Sequence, residues 1–474
     1  MRLYCVFPPA VVRPLVWFAL ATLALAAPGT GRAAPRLVDS LAGLQLAVNA
    51  AMAGDVITVK NGVYTTTEAI TVNRGGTADQ PIVIVAETAG GVELGGTQGF
   101  NVVAPAAYVV IAGFNFTHAS GTDTIGADTS HVRFTRCTFR CAGEGTYLSV
   151  MGDEAQVDYN EFTDKKTAGV MIAVSGSGDQ IARNVWIHHN YFHDLSSSAG
   201  SSAVMIRFGL LSALGMSTGT GLVEHNLLVR CRGVGEVISN RSCGNTYRYN
   251  TFLDSPTTPF TLRLGNDCSV YGNYFRNTEG VRIYGDRHQV YSNYFEGNFI
   301  GVNLGNGDGE VADGALPEKV HDRPDNCVIA FNTFIDNKTN FQLSSRKANA
   351  LGATNTTFAN NIIMGDGVVA RMAGPYTGAV WSGNLLWNTG EAGDLPAEGY
   401  TKADPLLVAG PDGIKRLQAG SPAIEAATGA FPAVAFDLDG QARPEKKSIG
   451  ADELSTEPAL AHFLAVTDVG PDER

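Results

Sequence analysis

Positive charge is scarce in this sequence. Lys and Arg number 34 against 46 Asp and Glu, the formal net charge is −12, and only 17% of residues are charged. A chain so acidic lacks the broad positive field of a general nucleic-acid or anionic-membrane binder, so an anionic ligand needs a local basic patch. Long apolar runs are missing too. After Leu15 to Ala27 no stretch reaches the roughly 18–20 residues that span a bilayer. No CxxC pair is present, which argues against a zinc site of the usual spacing. What the chain does have is 55 glycines and 44% hydrophobic residues, enough apolar content to exclude overall disorder.

Residues 1–33 read as an address. Arg2 and Arg13 precede the apolar run, and small residues at Gly31 and Ala33 supply a cleavage context. A signal peptide is expected, hence a secreted or periplasmic protein with no membrane association after cleavage. Losing Arg2, Arg13 and Arg32 makes the mature chain three charges more acidic. Six cysteines remain: Cys137, Cys141, Cys231, Cys243, Cys268 and Cys327. An oxidising compartment permits disulfides between them; isolated buried thiols are the alternative.

From about residue 160 to 390 one phrase recurs: Asn, any residue, then an apolar residue. Its asparagines are Asn160, Asn190, Asn226, Asn250, Asn273, Asn293, Asn332, Asn361 and Asn384, at intervals of 30, 36, 24, 23, 20, 39, 29 and 23. A repeat of this length marks a solenoid whose coils bury their core against their neighbours. The short intervals fit one turn of a right-handed parallel β-helix, and the long ones a turn with an inserted loop. Asparagine tolerates the left-handed turn conformation, and its amides can hydrogen-bond up the axis. Ser40 is placed to cap a short helix, with Leu41, Leu44, Val48 and Met52 at near-helical spacing and Gly54 as a stop. Such a helix would protect the open N-terminal end. The expected organisation is a leader over 1–33, an all-β parallel β-helix over 34–390, a wrapping or capping segment over 391–455 and a tail over 456–474.

Basic residues fall in register on this frame. Arg241 lies 9 residues before its ladder asparagine, Arg263 lies 10 before and Tyr284 lies 9 before. Equivalent positions on successive coils stack about 4.8 Å apart. Arg241, Arg263 and the Arg282/Tyr284 pair are therefore expected to form a basic stripe, flanked by Arg207, Arg287 and His288. Guanidinium groups pair carboxylates bidentately. A single arginine is more simply a surface residue bonded to acids such as Glu236, Asp267 or Asp286; three on consecutive coils favour an anionic ligand.

The segments GDVITVKNGVY (54–64), HNLLVRCRGVGEVISNRS (225–242), NTF (250–252), RLG (263–265), GSPAIEA (420–426) and DLDGQARP (437–444) resemble polysaccharide lyase family 6, the β-helical alginate lyases and chondroitinase B. The resemblance covers nearly the whole mature chain. It implies depolymerisation of uronate polymers by β-elimination, with a lysine base beside an arginine and calcium held by an asparagine and two glutamates. Arg241 stands at the lysine position, in SNRS rather than SNKS, and Arg263 at the arginine position, followed by Leu264 rather than histidine. Of the implied calcium ligands Glu236 remains, with Val234 and Ser201 at the others. Calcium demands six to eight oxygens, so no metal or other cofactor is expected.

Arginine is a poor base, with a pKa above about 12. Either Arg241 takes the proton in a site that favours its neutral form, helped by Arg263, or both arginines neutralise the substrate carboxylate while Tyr284, His288 or Lys165 takes the proton. Arg241 and Arg263 are the expected catalytic residues. Arg207, Glu236, Arg282, Tyr284, Arg287 and His288 are the expected substrate-binding ones. The expected activity is an alginate lyase, mannuronate-rich blocks first, acting as a monomer. Chondroitin or dermatan sulfate cleavage and a non-catalytic polyuronate binder are the alternatives. The NLGNGDGE segment (303–310) and its continuation to Asp325 read as a solvated loop or as one wall of the groove, and Asp437 to Gly440 as a turn.

Overall fold

The computed structural model describes residues 36–472 except 120, 198–202, 210–215, 233–234, 314–320 and 346–349. The expected leader therefore lies outside the described residues, as do Ser201 and Val234. Three long parallel sheets of 14, 12 and 14 strands run side by side. Each coil contributes one strand to each. Thr246–Arg248, Thr251–Ser255 and Phe260–Leu264 make one coil, and Ser269–Tyr271, Tyr274–Thr278 and Val281–Ile283 the next. Strands pair in parallel with their counterparts one coil on. This is the parallel β-helix that the repeat predicts. Among the described residues no helix is long and apolar enough to cross a membrane.

The N-terminal helix Leu41–Asn49 covers the first coil. The Ser40 side chain accepts from the Gly43 N–H at 3.2 Å, and Leu44, Ala47 and Val48 form its buried face. Gln45 accepts from the Thr71 N–H and donates to the Thr71 carbonyl, both at 2.9 Å, so one side chain satisfies part of the exposed strand edge. The helix stops at Asn49, short of Gly54, which belongs to the following turn with φ +85°.

All nine ladder asparagines are fully buried. The Asn250 backbone N–H and Nδ2 both donate to Asn273 Oδ1 at 3.0 Å, and Asn250 Nδ2 also reaches the Val223 carbonyl at 2.9 Å. Asn273 repeats the pattern toward Asn293, and Asn293 toward Asn332. Buried amides in this arrangement leave no polar atom unpaired, which removes the desolvation penalty of burying them. The left-handed residue at each corner is not the asparagine but the one before it. Tyr159, His189, His225, Tyr249, Ser292, Phe331 and Asn360 have φ between 51° and 55°. That residue turns the chain, and the turn aims the following amide inward. Two positions on, Phe252, Phe275, Phe295 and Phe334 stack with centroids 4.5 to 4.8 Å apart. Burying each such ring contributes about 2–3 kcal/mol.

A second ladder at another corner carries no single repeated residue. Ser255 Oγ accepts from the Cys231 N–H, Asn298 Oδ1 from the Thr278 N–H, and Asn337 Oδ1 from the Asn298 N–H. Coils nearer the N-terminus put Cys141 and Lys165 in the same corner, and Lys165 lies buried with its ammonium 4.4 Å from the Tyr147 ring centroid. All six cysteines are buried and free, so the core holds thiols and no disulfides.

The C-terminal segment lies along the outside of the coils. Arg443, fully buried, donates to Glu453 at 2.6 Å, to the Gly450 and Ala451 carbonyls at 2.8 Å, and to Ser292 of the helix at 3.1 Å. Asp437 accepts from the Asp439, Gln441 and Glu453 N–H groups, which makes the DLDG segment a turn. The expected tail is instead a strap. Leu464 and Val469 pack on Leu227 and Val229, the Leu464 N–H reaches Thr251 Oγ1 at 3.0 Å, and the Gly470 N–H reaches the His189 carbonyl at 2.9 Å. Its alternating apolar residues find partners on coils some 200 residues earlier, a match that a local reading does not reveal.

Candidate active site

The middle stretch of the 12-stranded sheet places the arginines. Its strands Ala203–Phe208, Ile238–Arg241, Phe260–Leu264 and Val281–Ile283 are neighbours. Alternate residues face outward. Register pairs Arg207 with Ser239, Ser239 with Thr261, and Thr261 with Arg282, so these four form one outward column. The next outward column holds Arg241, Arg263 and Tyr284. A bulge between Asn240 and Arg241 pairs Arg241 with Leu264, leaving Arg263 as the extra residue. Bulges re-aim side chains, and this one turns Arg263 toward the Glu236 carboxylate, which it meets at 2.8 Å. The stripe expected from the sequence is thus two columns: Arg282 shares its column with Arg207 rather than with Arg241.

Glycine ends the second column on both sides. A methyl group on Gly209 would lie 2.3 Å from the Arg241 carbonyl, and one on Gly305 would lie 2.3 Å from the Tyr284 ring. Backbone therefore packs directly under Arg241 and Tyr284. Neither glycine was singled out by the sequence; their signal was the outward register position itself, two residues beyond Arg207 and Asn303. The Tyr284 ring also packs 4.7 Å from His321 of the long insertion, which puts the insertion at the edge of this face.

Electrostatically the cluster is one unit. Burial, then Arg207 and Arg263, outweigh the pull of Glu236 and bring the Arg241 guanidinium down to about 10. Burial and Arg263 also lower Arg207, against the pull of Glu236. Among the described residues three guanidinium groups thus share one buried carboxylate, which leaves this cluster positive in an acidic protein. Arg207 Nε and Thr261 Oγ1 are buried with no hydrogen-bond partner. Unsatisfied buried donors are costly, and here both sit in the column beside Arg241.

The remaining expected residues separate. His288 is fully buried: its Nδ1 accepts from the Cys268 N–H at 3.1 Å and its Nε2 lies 2.9 Å from the Tyr284 carbonyl, so both ring nitrogens serve the backbone. It is a corner residue of the core and does not lie on the outer face with the arginines. Lys165 is equally buried, lowered to about 8 by burial, and cannot reach a bound chain. Arg287 is held by Asp267 at 2.8 and 2.9 Å and by Asp313 at 2.9 Å, and so pins a corner. Arg282 lies 3.7 Å from Glu279 and stays half-buried in the first column.

Of the positions that the family resemblance implies for calcium, only Glu236 lies among the described residues. Glu236, the one carboxylate of that set, is already paired with Arg263. Among the described residues no three His, Cys, Asp or Glu side chains converge on a metal position.

The structure is a parallel β-helix that carries a cluster of arginines on consecutive coils of its outer face. The chondroitinase B family model matches residues 38–404, well over half of the chain, and the protein belongs to that family, polysaccharide lyase family 6. Solved structures agree in fold. The family 6 alginate lyase AlyGC superposes with a TM-score of 0.70 at 24% identity, over 82% of this chain and 56% of that one, so the chain spans little more than half of that relative. A mannuronic acid specific family 6 lyase from human gut microbiota gives 0.64 at 22% identity, over 78% and 91%. A family 6 alginate lyase in complex with a trisaccharide gives 0.68 at 18% identity, over 94% and 96%. No curated protein matches the sequence.

Proposed function

We propose that the protein cleaves alginate by β-elimination, mannuronate-rich blocks first, with Arg241 as the base. The observation that carries this reading is the Arg207–Arg241–Arg263 cluster around Glu236, with Arg241 held near 10. Abstraction of the C5 proton of a uronate requires neutralisation of the adjacent carboxylate, because the developing negative charge spreads onto it. Arg263 and Arg207 supply that positive charge. Neutral Arg241 takes the proton, the C5–H electrons form the C4–C5 double bond, and the C4–O bond breaks with its electrons on the leaving oxygen. Protonated Arg241 or the Tyr284 hydroxyl returns a proton to that oxygen. A base with a pKa of about 10 is neutral in about one molecule per hundred at pH 8, a cost far below that of an unperturbed arginine. Of the alternative bases, burial of His288 and Lys165 leaves Tyr284. The enzyme works outside the cytoplasm, after loss of its leader, as a monomer.

The test is a substrate panel. The mature protein is incubated with alginate, its mannuronate and guluronate blocks, and dermatan or chondroitin sulfate, while ultraviolet absorbance of the 4,5-unsaturated end is followed. The reading expects absorbance on alginate, fastest on mannuronate blocks. Reducing ends without absorbance would mean hydrolysis, and cleavage of the sulfated chains alone would move the protein to the substrate in the family's name.

A further inference from the structure

Side chains of the 12-stranded sheet that point into the coils form columns of their own. One inward column passes through Val174, Phe208, Asn240, Leu262, Ile283 and Leu304 on successive strands. Asn240 is the polar member of this run, it is fully buried, and it immediately precedes Arg241. Phe208 and Leu262 fill the same position on either side, so the core itself has no need of an amide there. A buried amide is costly unless its groups are paired, and this one is paired throughout.

Its partners are the backbone around the bulge and two side chains beneath it. Asn240 Nδ2 donates to the Ser242 carbonyl at 2.8 Å and to the Leu264 carbonyl, one coil on, at 3.1 Å. Leu264 is the residue that the bulge pairs with Arg241, so one amide ties the two strand ends together across the register shift. Asn240 Oδ1 accepts from the Tyr247 hydroxyl and from Asn245 Nδ2, both at 2.8 Å. Asn245 also donates to Ser242 Oγ at 2.8 Å and accepts from the Gly221 N–H at 2.9 Å. Ser242, Asn245 and Tyr247 are fully buried as well. Cys268 carries the network further. Its thiol donates to the Ser242 carbonyl at 3.5 Å and its N–H to His288 Nδ1 at 3.1 Å, and His288 Nε2 lies 2.9 Å from the Tyr284 carbonyl. The backbone at Arg241, beside Arg263 and at Tyr284 therefore rests on one interior network.

We infer that Asn240, braced by Tyr247 and Asn245, is a positioning residue. It locks the bulge from inside the coil and so fixes where the Arg241 and Arg263 guanidinium groups stand relative to Glu236. Ladder hydrogen bonds cannot do this at a bulge, where the pairing is locally disrupted, whereas a fully satisfied buried network rigidifies what it holds. The effect on catalysis rests on the lyase reading; the hold on the bulge does not.

The experiment uses the full mature chain carrying Asn240→Leu together with Tyr247→Phe. Replacing both bonded partners by apolar groups of similar shape is nearly neutral for stability, whereas misplacing reacting groups by about 1 Å costs up to about a hundredfold in rate. We expect kcat per folded molecule on mannuronate blocks to fall by about tenfold to a hundredfold, KM to stay within about twofold, and the melting temperature to stay near that of wild type. A crystal structure of the double variant should show the register shift between positions 240 and 241 lost or moved and Arg263 away from Glu236, with Asn250, Asn273 and Asn293 still in their ladder. If the double variant does not fold, Tyr247→Phe alone carries the test and should show the same split between kcat and KM in smaller measure. Wild-type kcat in the folded variant, a loss confined to KM, or a crystal structure with the bulge and the Arg263–Glu236 contact unchanged would each overturn the inference. If the wild type cleaves none of the uronate chains, the lyase reading fails, and the crystal structure of the variant alone decides whether Asn240 holds the bulge.

Discussion

The corner between the 14-stranded sheets repeats asparagine on nine coils, whereas the outer face of the 12-stranded sheet changes residue at every coil: Gly209, Arg241, Arg263, Tyr284, Gly305. The first column closes on itself. Each amide spends its donors and acceptor on the coils above and below, and nothing faces water. The outer face leaves demands open: positive charge around Glu236 and, in the column beside Arg241, a buried Arg207 Nε and a buried Thr261 hydroxyl without partners. In a solenoid, repetition in register marks what the fold needs, and departure from repetition in register marks what a ligand needs.

The largest expected effect falls on the irregular column. Arg241→Ala should lower kcat/KM on alginate by about a thousandfold or more, the scale of losing a general base, with little change in melting temperature. Retained turnover would remove Arg241 from the mechanism. Asn273→Ala breaks the regular column instead. It orphans the Asn250 N–H and Nδ2 and should cost about 2–4 kcal/mol of stability in urea unfolding, while activity per folded molecule stays near normal. A loss of activity without a loss of stability there would erase the distinction between the columns. The smallest effect is expected at the end of the irregular column. Gly305→Ala drives a methyl group into the Tyr284 ring and should raise KM by about two- to fivefold with kcat nearly unchanged, an amount typical of losing uniform binding.

Much of this contrast was legible in the sequence, for a physical reason. The asparagine ladder is periodic, and periodicity survives in one dimension, so the β-helix, its coil length and the placing of Arg241 and Arg263 on neighbouring coils could be read directly. Non-local features did not survive. The bulge at Arg241 shifts a register by one residue, and its trace in the sequence is only that Arg263 lies 10 rather than 9 residues before its asparagine. His288 sits between Arg287 and the strand Gln289–Tyr291 and looks like a groove residue until its ring is seen bonded to the Cys268 N–H and the Tyr284 carbonyl. The strap beyond residue 455 pairs with coils that precede it by hundreds of residues. The left-handed residue before each asparagine varies among Tyr, His, Ser, Phe, Gly and Asn, so its common conformation hid behind changing side chains.

The central claim, that Arg241 works as the base because the cluster lowers its pKa, is tested most directly by the pH dependence of kcat/KM for wild type and Arg241→Lys on mannuronate blocks. A base that must be neutral makes the rate climb about tenfold per pH unit below its pKa. The account predicts such a climb for wild type toward about pH 10. It predicts an active lysine variant whose plateau is reached about two units lower, because the intrinsic pKa of lysine is lower by about that much. A wild-type profile flat between pH 7 and 10, or a lysine variant as inactive as Arg241→Ala, would contradict it.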